Sequence, residues 1–196
     1  VGAGAKPFIA YTIASVTDYG AGDEVIYPVP GFPIYESQIL ANGAVPVPIY
    51  LREARDFAFD PAELEAKITP QTKLLIINTP HNPSGSVWSA QDMAQLADIV
   101  RGTDIVIAAD EVYEHILFDG ARHESCARHA ELAQRCFVIS SFGKTYHVTG
   151  WKVGYVAAPA ALTAEFRKVH QFNVFTVNTP VQHGLARYMA DPRPYL

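Results

Sequence analysis

The sequence has few cysteines, no excess of basic residues and no long apolar run. Two cysteines in 196 residues, Cys126 and Cys136, are too few for a disulfide framework and point to a reducing, cytoplasmic setting. Fifteen Lys and Arg against twenty Asp and Glu give a formal charge of −5. That leaves no basic footprint, which argues against nucleic acid or an anionic membrane surface as a partner. No apolar stretch approaches the roughly 20 residues of a membrane span. Internal repeats, charge blocks and low-complexity tracts are also missing. The chain opens without Met or a signal peptide on VGAGAKP and ends on DPRPYL, just past a helical pattern. Both ends look cut, and we expect a piece of a longer protein.

What is present suits one globular domain with a sizeable core: 49% of residues are hydrophobic and 18% charged. GAGAKPFIAYTIASVTD reads as a glycine loop opening a helix, with Pro7 in its first turn and Gly20 and Gly22 at its end. DEVIYPV is a short buried strand, and GFPIYESQILANG a helix closed by Asn42-Gly43. AVPVPIYL alternates, and its prolines mark an edge or irregular strand. Asp60 caps a helix that has Pro61 at its first position, and Ser89 caps another that stops at Gly102. TKLLIIN, DIVIAAD, CFVISS and VGYVAAP are further apolar strands, followed by helical patterns around ALTAEFRKVHQF and PVQHGLARYMA. This alternation predicts an α/β fold, a mainly parallel (mixed) sheet with helices on both faces.

In such a sheet the ligand lies beyond the carboxyl ends of the strands. TPHNPSG follows LLIIN, DEVYE follows DIVIAA, and SFGK follows FVIS. These ends supply Asn82, Asp110, Tyr113, Ser141 and Lys144. The glycine loop at positions 2–6 and Lys152 join the same set. Taken singly, each is weak. Asn-Pro and Ser-Gly are turn dipeptides, a lone glycine loop is usually a plain turn, Phe32 alone reads as core, and most lysines lie in solvent.

Together, and in this order, GAGAK, PGF, HNPSG, DEVYE and SFGKTYHVTGWKVGY resemble the class I/II aminotransferases, the pyridoxal-phosphate enzymes of fold type I. SFGK followed by HVTGWK resembles the methionine and kynurenine branch in particular. The resemblance covers nearly the whole chain and implies the large, cofactor-binding domain over residues 1–196, truncated at both ends. It implies pyridoxal 5'-phosphate held as an imine by Lys144, which also acts as general base and acid. Asp110 would face the pyridine nitrogen and keep the ring an electron sink. Tyr113 and Asn82 would hold the ring oxygen, and Phe32 would stack on the ring. Gly4, Ala5 and Lys6 would offer backbone N–H groups to the phosphate, with Ser141 and Lys152 completing the cup. Lys152 stands where many family members have arginine, and lysine offers a point charge instead of a fork.

The implied reaction moves an amino group from a sulfur-containing or aromatic amino acid to a 2-oxo acid, in a full-length homodimer. An N-terminal closing segment, a small C-terminal domain with a carboxylate-binding arginine and a partner-subunit tyrosine belong to that picture and match nothing in this chain. Arg187 and Arg193 sit in no such motif and are given no such role. Two rivals keep the cofactor: a lyase that cleaves carbon–sulfur bonds, and a non-catalytic cofactor-binding sensor module. His123, Cys126 and His129 form H-x2-C-x2-H, but no fourth ligand stands near in sequence. We therefore expect a surface segment there and no metal site.

Overall fold

The computed structural model describes residues 1–191. Six strands form one sheet: β1 (Glu24–Val29), β2 (Val45–Tyr50), β3 (Thr72–Asn78), β4 (Val106–Asp110), β5 (Cys136–Ser141) and β6 (Gly154–Ala157). Their order is β2-β1-β3-β4-β5-β6. The pairings from β2 through β5 are parallel, and β6 runs antiparallel to β5. Around the sheet lie α1 (Ala5–Val16), α2 (Ile34–Ala41), α3 (Pro61–Lys67), α4 (Ala90–Val100), α5 (Ala130–Ala133), α6 (Phe142–Thr145), α7 (Ala160–Asn173) and α8 (Thr179–Met189). The expected mainly parallel sheet with helices on both faces is the observed one.

The unbroken apolar runs follow from the period of two in a strand with both faces covered. In β3, Leu74 and Ile76 pack with Phe8, Ile9 and Ile13 of α1 and with Tyr35 of α2. Leu75 and Ile77 point the other way, onto Leu64 of α3 and Met93 and Leu96 of α4. The same split divides Phe137 and Ile139 from Cys136 and Val138 in β5. The proline-bearing β2 is an edge strand, as expected, and pairs with β1.

Helix starts follow the local chemistry. The Asp60 carboxylate accepts from the Ala62 amide, with Pro61 at the first position of α3. Ser89 and Asp92 form a reciprocal capping box on α4. Each such cap contributes about 1 kcal/mol. One boundary differs from the sequence expectation. Helix α1 stops at Val16, ahead of Gly20 and Gly22, because Thr17 turns extended and returns both its amide and its hydroxyl to the Ile13 carbonyl.

Helix α8 rests through Leu185 on Tyr146 and Val153, a small third core. At the end of α7 and in the connection to α8, Phe172 is 85% and Phe175 78% exposed. Arg187 lies in the last turn of α8, and Arg193 falls outside the described residues. No helix among the described residues is long and apolar enough to cross a membrane.

Candidate active site

Three parallel strands end at one edge of the sheet on a polar residue: Asn78 on β3, Asp110 on β4 and Ser141 on β5. Asn78 is in register with Asp110, and Ser141 with Gly154 at the start of antiparallel β6. The reversal of β6 therefore brings Lys152 to the edge where the parallel strands finish.

The glycine loop reaches the same place from the start of the chain. Gly2 and Gly154 exchange two backbone hydrogen bonds, each 3.0 Å. This close approach requires the absence of a side chain at position 154. A Cβ there would stand 2.6 Å from the Ser140 carbonyl oxygen and 3.3 Å from Gly4 Cα. Gly4 itself has φ of +86°, a left-handed value suited to glycine, and is the N-cap of α1. The first turn of α1 thus faces Ser141 and Lys152, with its free amides pointed at the strand ends.

A cavity of about 420 Å³ opens there. All ten residues singled out in the sequence line it: Gly4, Ala5, Lys6 and Phe32 on one side, Asn82, Asp110 and Tyr113 at the strand ends, and Ser141, Lys144 and Lys152 beside β6. Ala3 of the glycine loop lines it as well, and so do Pro7, Asn78, Val112 and Thr149, which were not foreseen. The ammonium of Lys144 lies 5.7 Å from the centre of the Tyr113 ring, and that of Lys6 lies 5.3 Å from the Phe32 ring.

Asp110 is the buried anion of this site, 5% exposed. Its Oδ2 accepts from the Tyr35 hydroxyl at 2.7 Å and its Oδ1 from the Val112 amide at 3.3 Å. Burial pushes its carboxyl up to about 6, while those two donors pull it back toward the ionised form. The Tyr35 phenol, buried against this carboxylate, is held well above its ordinary range.

Asn78 ties the neighbouring loop to the strand. Its amide donates to the Asp110 carbonyl at 2.9 Å, and its Oδ1 accepts from the Asn82 backbone N–H at 2.8 Å. His81 links two site loops. Its Nε2 donates to the Pro30 carbonyl at 3.1 Å, so Nδ1 is left to accept from Ser84 Oγ at 2.7 Å. Burial holds this imidazole below the ordinary histidine range. The loop that carries Phe32 is in this way fixed to the loop that carries Asn82.

The H-x2-C-x2-H segment packs behind the site. His123 bonds Glu111 at 2.7 Å, and the Cys126 amide donates to the same carboxylate. Cys126 and Cys136 are both buried as free thiols. Among the described residues, a grouping compact enough to share an ion is Glu111, Glu114 and His123, not the three residues of the motif. Two of its carboxylate oxygens already accept two hydrogen bonds each.

Tyr35 and Asn78 could have been found in part. A polar residue closing an apolar strand, as Asn78 does, is a visible signal. Tyr35 gives none, because it stands on the buried side of a helix like any core aromatic.

The family model for aminotransferase class I and II matches residues 1–195. The methionine aminotransferase of Escherichia coli is 46% identical over 176 residues, covering 89% of this chain and 45% of its own length. Kynurenine–oxoglutarate transaminase 3 of Rattus norvegicus is 40% identical over 190 residues, covering 89% of this chain and 42% of its own. The crystal structure of YbdL from Escherichia coli, identified with a methionine aminotransferase function, superposes with a TM-score of 0.94 at 43% identity. It covers 99% of this chain and 51% of that one. The chain spans about half the length of these relatives. With a family model matched along almost all of the chain and a site assembled from its strand ends, the protein belongs to the class I and II aminotransferases.

Proposed function

We propose that this chain is the cofactor-binding large domain of a pyridoxal-phosphate-dependent aminotransferase, acting in full-length form on sulfur-containing or aromatic amino acids with a 2-oxo acid as acceptor. The observation that carries the reading is one cavity holding a buried carboxylate, a primary amine and a helix N-terminus beside a lysine. The donor set fits pyridoxal 5'-phosphate on its chemistry. Asp110 offers an anion where a protonated ring nitrogen would compensate its burial. The free amides of α1, the Ser141 hydroxyl and Lys152 suit a phosphate dianion.

When bound, the cofactor supplies an aldehyde that condenses with amines and a ring that accepts electrons. Lys144 would hold the aldehyde and, once released, move the proton at the substrate α-carbon. Tyr113 and Asn82 would fix the ring oxygen, and Phe32 would cover a ring face and exclude water. The methionine and kynurenine relatives support the donor class. The free buried thiols favour a reducing, cytoplasmic compartment. The exposed Phe172 and Phe175 favour burial against a second copy in a homodimer.

The test uses the full-length protein. It is loaded with pyridoxal 5'-phosphate, reduced with borohydride and mapped by mass spectrometry, and transfer from methionine, phenylalanine and kynurenine is assayed in parallel. The expected result is a pyridoxyl adduct on Lys144 and an amino group appearing on the 2-oxo acid. An adduct on another lysine removes Lys144 from its role. Release of ammonia and a thiol, without transfer, makes the protein a lyase.

A further inference from the structure

The stretch Asp110–Glu114 faces two ways. Asp110 and Tyr113 line the cavity. Glu111 and Glu114, each one residue further on, bond away from it. Glu111 is fully buried and is held by Ser125, Cys126 and His123. Glu114 reaches toward β5 and β6. Its Oε1 accepts from Ser140 Oγ at 2.6 Å and from Tyr155 Oη at 2.8 Å.

Ser140 and Tyr155 are cross-strand partners. Ser140 directly precedes Ser141 in the strand that leads to Lys144, and Tyr155 lies just after Lys152. The ring of Phe142, in the same helical turn as Lys144, packs on Tyr155 at 5.6 Å between centres. One carboxylate oxygen thus joins the turn that carries Tyr113 to both strands of the hairpin that carries Ser141, Lys144 and Lys152.

We propose that Glu114 is a positioning residue that sets Tyr113 against Lys144, whose ammonium stands 5.7 Å from the Tyr113 ring centre. This rests on the cofactor-binding reading above. Two short O–H donors converging on one acceptor oxygen tie three segments at a single atom, a more directional link than apolar packing. Burial and the neighbouring carboxylate also hold the Tyr155 phenol above its usual range, so it stays a donor at every working pH. Tyr113 directly precedes Glu114, and its turn is closed by the Glu114 amide on the Glu111 carbonyl at 2.9 Å. A shift of the Glu114 side chain therefore moves the phenol.

The test compares E114A, E114Q and Y155F in the full-length protein loaded with pyridoxal 5'-phosphate. Glutamine keeps an acceptor oxygen at the position of Oε1, alanine does not, and Y155F removes one of the two donors. The main readout is the pH midpoint of the absorbance of the lysine-bound chromophore. That midpoint responds to where the Tyr113 phenol stands, and loss of bulk stability alone does not move it. E114A is expected to shift it by about one unit or more. It is also expected to lower kcat by up to about 100-fold with little change in KM, as for a misplacement of about 1 Å. E114Q should stay close to wild type. Y155F should shift the midpoint in the same direction by less, and it serves alone if E114A does not fold. A wild-type midpoint in E114A or, failing that, in Y155F overturns the proposal. So does an E114Q protein as impaired as E114A. A wild-type protein without any lysine-bound chromophore overturns the functional reading and this inference together.

Discussion

The hydroxyl of Tyr35 donates to Oδ2 of Asp110 across 2.7 Å, joining a helix residue to a strand end 75 positions later. Both groups are buried. A donor of this kind stabilises the carboxylate against the protein interior, which would otherwise favour the protonated acid.

Replacing Tyr35 with Phe removes that donor and leaves the packing largely intact. Hydrogen bonds to charged groups contribute about 1.5–3 kcal/mol. Asp110 should then ionise at higher pH, and the full-length protein should bind pyridoxal 5'-phosphate about 10- to 100-fold more weakly at neutral pH. Titration of the cofactor by absorbance checks this, and unchanged affinity in Y35F would remove Tyr35 from the site.

Asp110 also gives the cofactor-free protein a pH signature. Its carboxyl titrates near 6 in the folded chain, against about 3.9 when unfolded. Between those values the folded state keeps a proton that the unfolded state releases. Stability from this group is therefore present below about pH 4 and falls as pH rises to about 6, by roughly 3 kcal/mol at most. Asp110→Asn should flatten that part of the curve. Urea denaturation of wild type and D110N at pH 4.5 and pH 7 measures the difference. An equal effect of the substitution at both pH values would contradict it.

Gly154→Ala tests the meeting of the glycine loop and β6. The added methyl would stand 2.6 Å from the Ser140 carbonyl oxygen, and overpacking of this kind costs about 1–3 kcal/mol. The displaced strand end should also weaken the grip on inorganic phosphate and on the cofactor phosphate. Gly150→Ala is the control, since a Cβ there meets nothing within 4 Å. Thermal denaturation and phosphate titration of both variants should separate them clearly. Equal behaviour would show that the close approach at Gly154 is dispensable.

Much of this site was legible because its residues interrupt a pattern. Asp110 and Ser141 close runs of apolar residues, and polar groups at such ends need a reason. Asn82, Tyr113 and Lys144 follow within a few positions. The strands themselves were legible because residues buried on both faces cannot alternate with polar ones. The partners that orient the site were not legible. Tyr35 sits among core residues of α2, and its target lies on a distant strand. Ser140 reads as part of a buried run, and its bond to Glu114 depends on β6 turning back beside β5. The boundary of α1 was misplaced for a local reason, since Thr17 bonds Ile13 and ends the helix before any glycine is reached.

The pairing of Gly2 with Gly154 has a consequence for how the molecule comes together. Gly2 lies ahead of every strand and Gly154 begins β6, so the loop closed by their contact contains five of the six strands. Closing a loop of that length brings an entropic cost that only the assembled sheet can offset. On the ribosome, the glycine loop emerges before its partner, with five strands between them. The end of the site proposed to hold the phosphate would thus be complete only once β6 has docked, which would make tight phosphate binding a readout of the assembled six-stranded sheet.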